Sequence, residues 1–348
     1  MNSDQISINS VTKLFEDEKQ REFINEFTKH FNNISKKLYF NQIQMNIGHR
    51  LRPRLVYWGY MINHVACDVS KENISMLADI AASIEFLHKS SIILDDLIDN
   101  DSERHGEPAF HTIYGPENTI LFTLNILSVS IMNINNIFSQ NSISHTIYGK
   151  SMSVLINTMY KMTLGCLQEQ NLSENTIENI ECIKDIIQKE TSSLIANSLL
   201  IGYYAGGKCD EYQEEILNEI GYNCGYCFQA MNDIEPFSDT QKITEHKGSA
   251  TTDIIYNKKN IAYAVLMNTI SIFERKKLEK SGEEKIKYIN KLMTKYDIQG
   301  VLLEEIDNVH NKINNDINKL GNICSNSSWG VDFQTFVDSL FLVCKNRL

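Results

Sequence analysis

The stretch Leu77-Ala-Asp-Ile-Ala-Ala-Ser-Ile-Glu-Phe-Leu-His-Lys-Ser-Ser-Ile-Ile-Leu-Asp-Asp-Leu-Ile-Asp99 decides the fold. Leu77, Ile80, Ala81, Ile84, Leu87, Leu94 and Ile98 recur at helical spacing, with Ser91 the one polar member of the series. Within Ile84 to Asp99, read as one helix, His88, Asp95 and Asp99 fall on a single stripe, polar inside an otherwise apolar surface. Carboxylates at i and i+4 repel by a few tenths of a kcal/mol on an exposed helix, ~0.2–0.5, and by more when buried. They persist best with a divalent cation between them, and hard carboxylate oxygens suit Mg²⁺ that also bridges to substrate phosphates.

The same helical period runs through most of the chain, and alternation of period two is hard to find, so the protein reads as all-α. With only 4 Pro and 16 Gly in 348 residues, long uninterrupted helices are expected. Breaks are expected at Arg52-Pro53, Ser102 to Pro116, Gln170 to Asn175, Ala205 to Gly207, and Pro236 to Ala250. None resembles a domain linker, so residues 1–348 read as one domain. The polar run from Asn171 to Lys189 reads as a partly exposed helix. About residues 1–12, and the stretch from Asn322 to Ser328, are expected to be the flexible parts.

A net charge of −11 and a pI near 5.4 argue against nucleic acid as a partner. Without a basic segment followed by an apolar run at the N-terminus, and without an unbroken apolar run of spanning length, a soluble cytoplasmic protein is expected. The 8 cysteines are scattered and expected to be reduced. Only Cys224 and Cys227 have metal or redox spacing, and with no second pair they read as two core thiols one turn apart. Trp58, Tyr57 and Tyr60 read as packing residues, and His145, His246 and His310 carry no assigned role.

Downstream of Asp99 lies Arg104-His-Gly-Glu-Pro-Ala-Phe-His-Thr-Ile-Tyr-Gly115, a loop whose arginine is placed to reach a diphosphate. Together with Gly48-His-Arg-Leu-Arg-Pro53, Ile84 to His88, Asp95 to Gly115, Phe228-Gln-Ala-Met-Asn-Asp233, and Lys247 with Asp253 and Lys258, the sequence resembles the trans-isoprenyl diphosphate synthases of the polyprenyl synthetase family. The resemblance spans most of the chain, in family order.

That resemblance implies an isoprenoid synthase fold, a large helical bundle around a deep apolar cavity, usually homodimeric. It implies a Mg²⁺-dependent prenyltransferase in which three ions grip an allylic prenyl diphosphate. Ionisation gives an allylic cation, which isopentenyl diphosphate attacks. Carried over position by position, Asp95 and Asp99 would ligate Mg²⁺ with Asp96 behind them, and Asn232 and Asp233 would do so from the second motif. Arg104, Lys247 and Lys258 would hold the allylic diphosphate, with Lys189 as a further cation. His49, Arg52, His88 and His105 would form the isopentenyl diphosphate site. Thr191 and Gln229 would line the cation's path beside Phe228. The small Ser90 and Ser91 leave room for a geranylgeranyl or longer product, unless Leu87 or Phe86 closes the cavity.

Several positions depart from the family pattern. His49 stands where a lysine is expected and His105 where a second arginine is expected, and each forfeits a charge-assisted hydrogen bond worth roughly 1.5–3 kcal/mol when the imidazole is neutral. The second metal motif reads Asn232-Asp-Ile-Glu-Pro236; Pro236 has no ligating side chain and should end the helix, which leaves Glu235 or Asp239 as substitute ligands. Glu190 stands where a lysine is expected just before Thr191, with Lys189 one residue early, a swing of about 100° on a helix. Chain elongation to a long product is the first reading. Alternatives are a terpene synthase or a peptide prenyltransferase that does not use isopentenyl diphosphate, and a non-catalytic subunit of a heteromeric synthase.

Overall fold

A computed structural model describes residues 17–40, 48–104, 106–140, 143–173, 178–237, 259–279, 283–346 and 348. His105, Asp239, His246, Lys247, Asp253, Lys258 and residues 1–12 lie outside the described residues. Helices account for nearly all the rest: α1 (Glu18–Ser35), α2 (Leu51–Met61), α3 (Lys71–Ile98), α4 (Phe110–Tyr114), α5 (Pro116–Gln140), α6 (His145–Gln170), α7 (Ile180–Ile187), α8 (Ser193–Ala205), α9 (Glu211–Ile234), α10 (Ile261–Thr269), α11 (Ile272–Lys276), α12 (Glu283–Lys295), α13 (Ile298–Gly321) and α14 (Trp329–Lys345). A two-rung antiparallel ribbon, β1 (Glu103–Arg104) with β2 (Glu107–Pro108), departs from a purely helical reading. Gly106 at φ 78° makes its turn.

The deciding stretch is the C-terminal part of α3. Ser70 caps that helix by accepting the Asn73 N–H at 3.2 Å, and 28 residues at about 1.5 Å each carry it roughly 42 Å across the molecule. Its apolar side, including Leu77, Ile80, Ile84 and Phe86, is fully buried. It ends where the Asp99 N–H bonds the Asp95 carbonyl at 2.8 Å and Asn100 takes a left-handed conformation at φ 56°.

Helix α8 is the axis of the bundle, with every residue from Ser193 to Ala205 buried. Glycines let its neighbours approach at backbone distance. A Cβ on Gly59 of α2 would lie 1.9 Å from the Leu199 carbonyl oxygen, and one on Gly221 of α9 would lie 2.2 Å from Ala196 Cα. Trp58, Tyr57 and Tyr60 are core residues, as expected; Trp329 Nε1 donates to the Trp58 carbonyl at 2.8 Å.

Two local expectations are corrected. Pro53 sits inside the first turn of α2, where its missing N–H is harmless, so the break precedes Leu51. The stretch from Asn322 to Ser328 is pinned by Asn326, which is buried and donates to the Met61 and His64 carbonyls at 3.0 and 2.9 Å. In the polar run after Asn171, the helix among the described residues spans Ile180–Ile187 and continues into the turn at Gln188–Ser192.

The cysteines are free thiols. Burial pushes the Cys224 thiol up to about 12, and the Cys227 thiol is also raised, chiefly by burial. His310 pairs with Asp338 at 2.7 Å and stacks on Phe341, a packing role. Pro116–Ser139 is long and apolar enough by composition to cross a membrane, with mean hydropathy 1.5, although Asn, Ser and Thr interrupt it. Its exposed face carries Ile120, Leu121, Leu124 and Met132, and Ile156, Tyr160 and Leu167 are exposed on α6.

Candidate active site

A cavity of about 450 Å³ opens among α3, α5, α6, the segment before α8, and α9. Its apolar wall includes Leu87, Leu94, Leu127, Met159 and Met162; its mouth carries Asp95, Asp99, Glu169, Glu190, Lys259 and Arg104. Arg52, His88, Ser90, Ser91, Thr191, Gln229, Asn232 and Asp233 line it too, so the structure brings together side chains that lie far apart in sequence. Ser90 and Ser91 fold their hydroxyls back onto the Leu87 and His88 carbonyls, each at 2.8 Å, and so satisfy themselves without filling the cavity. Leu87 lines the cavity, whereas Phe86 points into the core and stacks on Phe31 at 4.3 Å.

Asp95 and Asp99 form the acidic edge predicted from their spacing. Burial, and then the charge of Asp99, push the Asp95 carboxyl up to about 6, against the opposing pull of Lys259 and Arg104. This pair fits a hard divalent cation on its cavity side. Asp96 faces the other way: it is buried, holds Arg104 through Nε and a terminal nitrogen, and does not line the cavity. Burial raises the Asp96 carboxyl and the bond from Arg104 opposes it. Arg104 is thus clamped by Asp96, and its terminal nitrogen is 3.8 Å from Asp95.

The second motif fits a cation less well. Helix α9 ends at Ile234 and passes into a 3₁₀ turn at Glu235–Phe237, as Pro236 requires. Asn232 lines the cavity, but the Asp233 carboxylate accepts the Ile261 N–H at 2.8 Å, at the start of α10, and Gln229 Nε2 at 2.7 Å. Among the described residues no cluster of three or more His, Cys, Asp or Glu has metal-binding geometry.

Between α7 and α8, residues Gln188–Ser192 form a π-helical turn. This turn aims Glu190 and Thr191 into the cavity, and Thr191 Oγ1 donates to Gln229 Oε1 at 3.1 Å. Two glycines leave space for it: a Cβ on Gly165 would meet Glu190 Cγ at 2.5 Å, and one on Gly225 would meet Ser192 Cα at 2.4 Å. Lys189 turns away to Gln168, at 2.9 Å, and to Asp185, and Phe228 packs against the core; neither lines the cavity.

Among the described residues the cation at this end of the site is Lys259, which the sequence reading did not single out. Its Nζ bonds Glu169 at 2.9 Å and also pairs with Glu190. Burial opposes the Lys259 charge, but Glu169, Glu190 and Asp95 outweigh it and hold the ammonium well above its usual range. Burial likewise works against the Glu169 carboxylate, yet Lys259 keeps it below the usual range, while Glu190, dominated by burial, is pushed up. Glu169 carried no motif signal, being about 70 residues from Asp95, and Lys259 was hidden beside Lys258.

A prediction follows from Asp95. A carboxyl raised on folding is stabilising when protonated, so its contribution is full below about pH 4 and is lost as pH rises through about 6. Its side chain is 48% exposed, so solvent screening limits the effect to on the order of 1 kcal/mol. Thermal unfolding in a chelator should show stability falling between about pH 4 and 6.5, with the slope flattened by millimolar Mg²⁺ and reduced in Asp95→Asn. A slope that neither perturbation touches would sink the assignment.

The sequence model of the polyprenyl synthetase family matches residues 36–296. The chain is 28% identical over 273 residues to a short chain isoprenyl diphosphate synthase of Methanocaldococcus jannaschii, covering 78% of this chain and 76% of that one. It is 30% identical over 263 residues to a farnesyl diphosphate synthase of Buchnera aphidicola, covering 72% and 83% respectively. Among solved structures, a decaprenyl diphosphate synthase from Rhodobacter capsulatus superposes with a TM-score of 0.77 over 98% of this chain and all of that one at 15% identity. A polyprenyl synthase from Caulobacter crescentus gives 0.72 at 17% identity, over 96% and 97%. With the family model spanning most of the chain and a helical bundle of matching architecture around the aspartate-edged cavity, this protein belongs to the polyprenyl synthetase family of prenyltransferases.

Proposed function

We propose that the chain is an elongating isoprenyl diphosphate synthase that ionises an allylic diphosphate and adds isopentenyl diphosphate head to tail. The observation that carries the reading is the cavity itself, with the Asp95 and Asp99 carboxylates at its mouth and an apolar wall descending past Ser90 and Ser91. Magnesium ions held by Asp95 and Asp99, with Asn232 contributing an amide oxygen, would neutralise the diphosphate and the charge it acquires on leaving. Thr191 and Gln229 present their oxygen dipoles to the developing allylic cation. Leu94, Met159 and Met162 exclude water from it. The small serines support a geranylgeranyl or longer product. The apolar faces left exposed on α5 and α6 support a homodimer joined through these helices, and a soluble, cytoplasmic setting fits the charged remainder of the surface.

A second reading is favoured by one specific observation, the commitment of Asp233 to the start of α10 beside Pro236. A weakened second motif suits an enzyme that ionises the allylic substrate but has another acceptor, as in a terpene synthase or peptide prenyltransferase. It also suits, less well, a non-catalytic subunit. Incubation of the purified protein and Mg²⁺ with geranyl, farnesyl or geranylgeranyl diphosphate, with and without isopentenyl diphosphate, separates these. Longer prenyl diphosphates formed only with isopentenyl diphosphate are expected; hydrocarbons or alcohols from the allylic substrate alone would overturn elongation.

A further inference from the structure

The turn Gly48-His49 and the lysine after His88 meet in a way that neither sequence motif announces. Gly48 adopts φ 65°, and a Cβ placed on it would lie 3.3 Å from Lys89 Nζ. The Lys89 ammonium therefore rests against the turn that carries His49. It pairs with Glu85, a buried carboxylate at 3.2 Å on the preceding turn of α3. The charge of that same carboxylate also acts on Arg52, whose guanidinium burial pushes down to about 10 while Glu85 opposes the shift.

Two cations thus share one carboxylate in a poorly solvated place. The Arg52 Nε is buried and finds no hydrogen-bond partner among the described residues, and the same holds for the Nε of Arg50 on the same turn. A buried donor left unmade is costly, and a surplus of buried positive charge more so, unless an anion arrives. His88, on the wall beside Arg52, is held well below its usual range by burial and then by Arg52, Lys89 and Arg104, so it adds a neutral N–H donor and no third charge. Arg52 and His88 both line the cavity, which connects the cluster to the reacting end.

Resting on the elongation reading, we propose that Lys89 binds substrate: with Arg52 it forms, against the Gly48-His49 turn, the subsite for the diphosphate of the alkenyl acceptor. It supplies the ammonium that a histidine at position 49 does not. The apparent loss at position 49 is then a relocation, from the turn to the helix that faces it. Lys89 acts by binding the non-reacting end of the acceptor and so orients its double bond toward the allylic carbon.

The test is calorimetric titration of isopentenyl diphosphate, together with steady-state kinetics, on wild type, Lys89→Met, Lys89→Arg and Lys89→Met/His49→Lys. Loss of one charge-assisted bond to a diphosphate should weaken isopentenyl diphosphate binding about 10- to 100-fold in Lys89→Met. Lys89→Arg should stay within a few-fold of wild type, and His49→Lys should recover most of the loss. The KM for the allylic substrate should move far less than that for isopentenyl diphosphate. Unchanged isopentenyl diphosphate affinity in Lys89→Met, or equal rises in both KM values with no recovery by His49→Lys, would leave Lys89 a helix ion pair with Glu85 and overturn the proposal. Binding is read without turnover, so the two readings fail separately. Wild type that binds isopentenyl diphosphate without elongating overturns elongation alone; wild type that elongates with Lys89→Met unaffected overturns the Lys89 subsite alone.

Discussion

Asp95→Ala is expected to lower turnover of an allylic diphosphate by about 10³-fold or more while leaving the helical bundle folded. The magnitude follows from what the carboxylate does: charge stabilisation at a departing diphosphate contributes several kcal/mol, and each 1.36 kcal/mol is about tenfold in rate. The sign for stability is opposite. The Asp95 carboxyl is raised to about 6 by burial and by Asp99, so its ionised form costs stability and its removal should raise the unfolding temperature of the metal-free protein above pH 6. A variant that is inactive yet more stable in chelator separates a functional role from a structural one. Retained turnover would sink the mechanism. Asp96→Ala should behave differently, because Asp96 clamps Arg104 in a buried place, and its loss strands a guanidinium and destabilises the fold.

How much of this was legible in the sequence depended on whether the relevant geometry is local. The stripe of His88, Asp95 and Asp99 follows from helical spacing alone, and the structure keeps all three on the cavity side of α3. The termination of α9 at Pro236 is likewise local chemistry, since a missing N–H and a fixed φ need no tertiary partner. Glu169 and Lys259 became visible only through contact. They lie 90 residues apart, and their hydrogen bond is set by how the end of α6 meets the segment just before α10. The π-helical turn at Gln188–Ser192 is a third case. It has no residue signature of its own, because what permits it is the absence of side chains on two other helices, at Gly165 and Gly225. The direction of Lys189 therefore could not be read from a 100° step on a regular helix, since the helix there is not regular.

A third glycine of this kind, Gly202 of α8, gives a large expected loss of stability. Gly202→Ala should cost about 3 kcal/mol or more, at the upper end of overpacking effects, because the added methyl meets backbone. Its Cβ would sit 2.0 Å from the Val56 carbonyl oxygen and 2.8 Å from the carbonyl carbon, so rotamer adjustment offers no relief and α2 must move away from α8. That crossing is buried, with α8 enclosed along its length, so separating the helices opens space among side chains packed at crystal-like density. It also moves Arg52, which α2 carries, relative to Thr191 before α8, so any folded fraction should be impaired at the site as well. Gly149→Ala on α6 is the control: a Cβ there meets nothing within 4 Å, and the substitution should stabilise by roughly 0.5–1 kcal/mol through helix propensity and the entropy of the unfolded chain. Urea unfolding of the two variants should move in opposite directions from wild type. Equal stability of Gly202→Ala and wild type would mean that the α2–α8 crossing is looser than these distances require, and the account of how the bundle places Arg52 opposite Thr191 would fall with it.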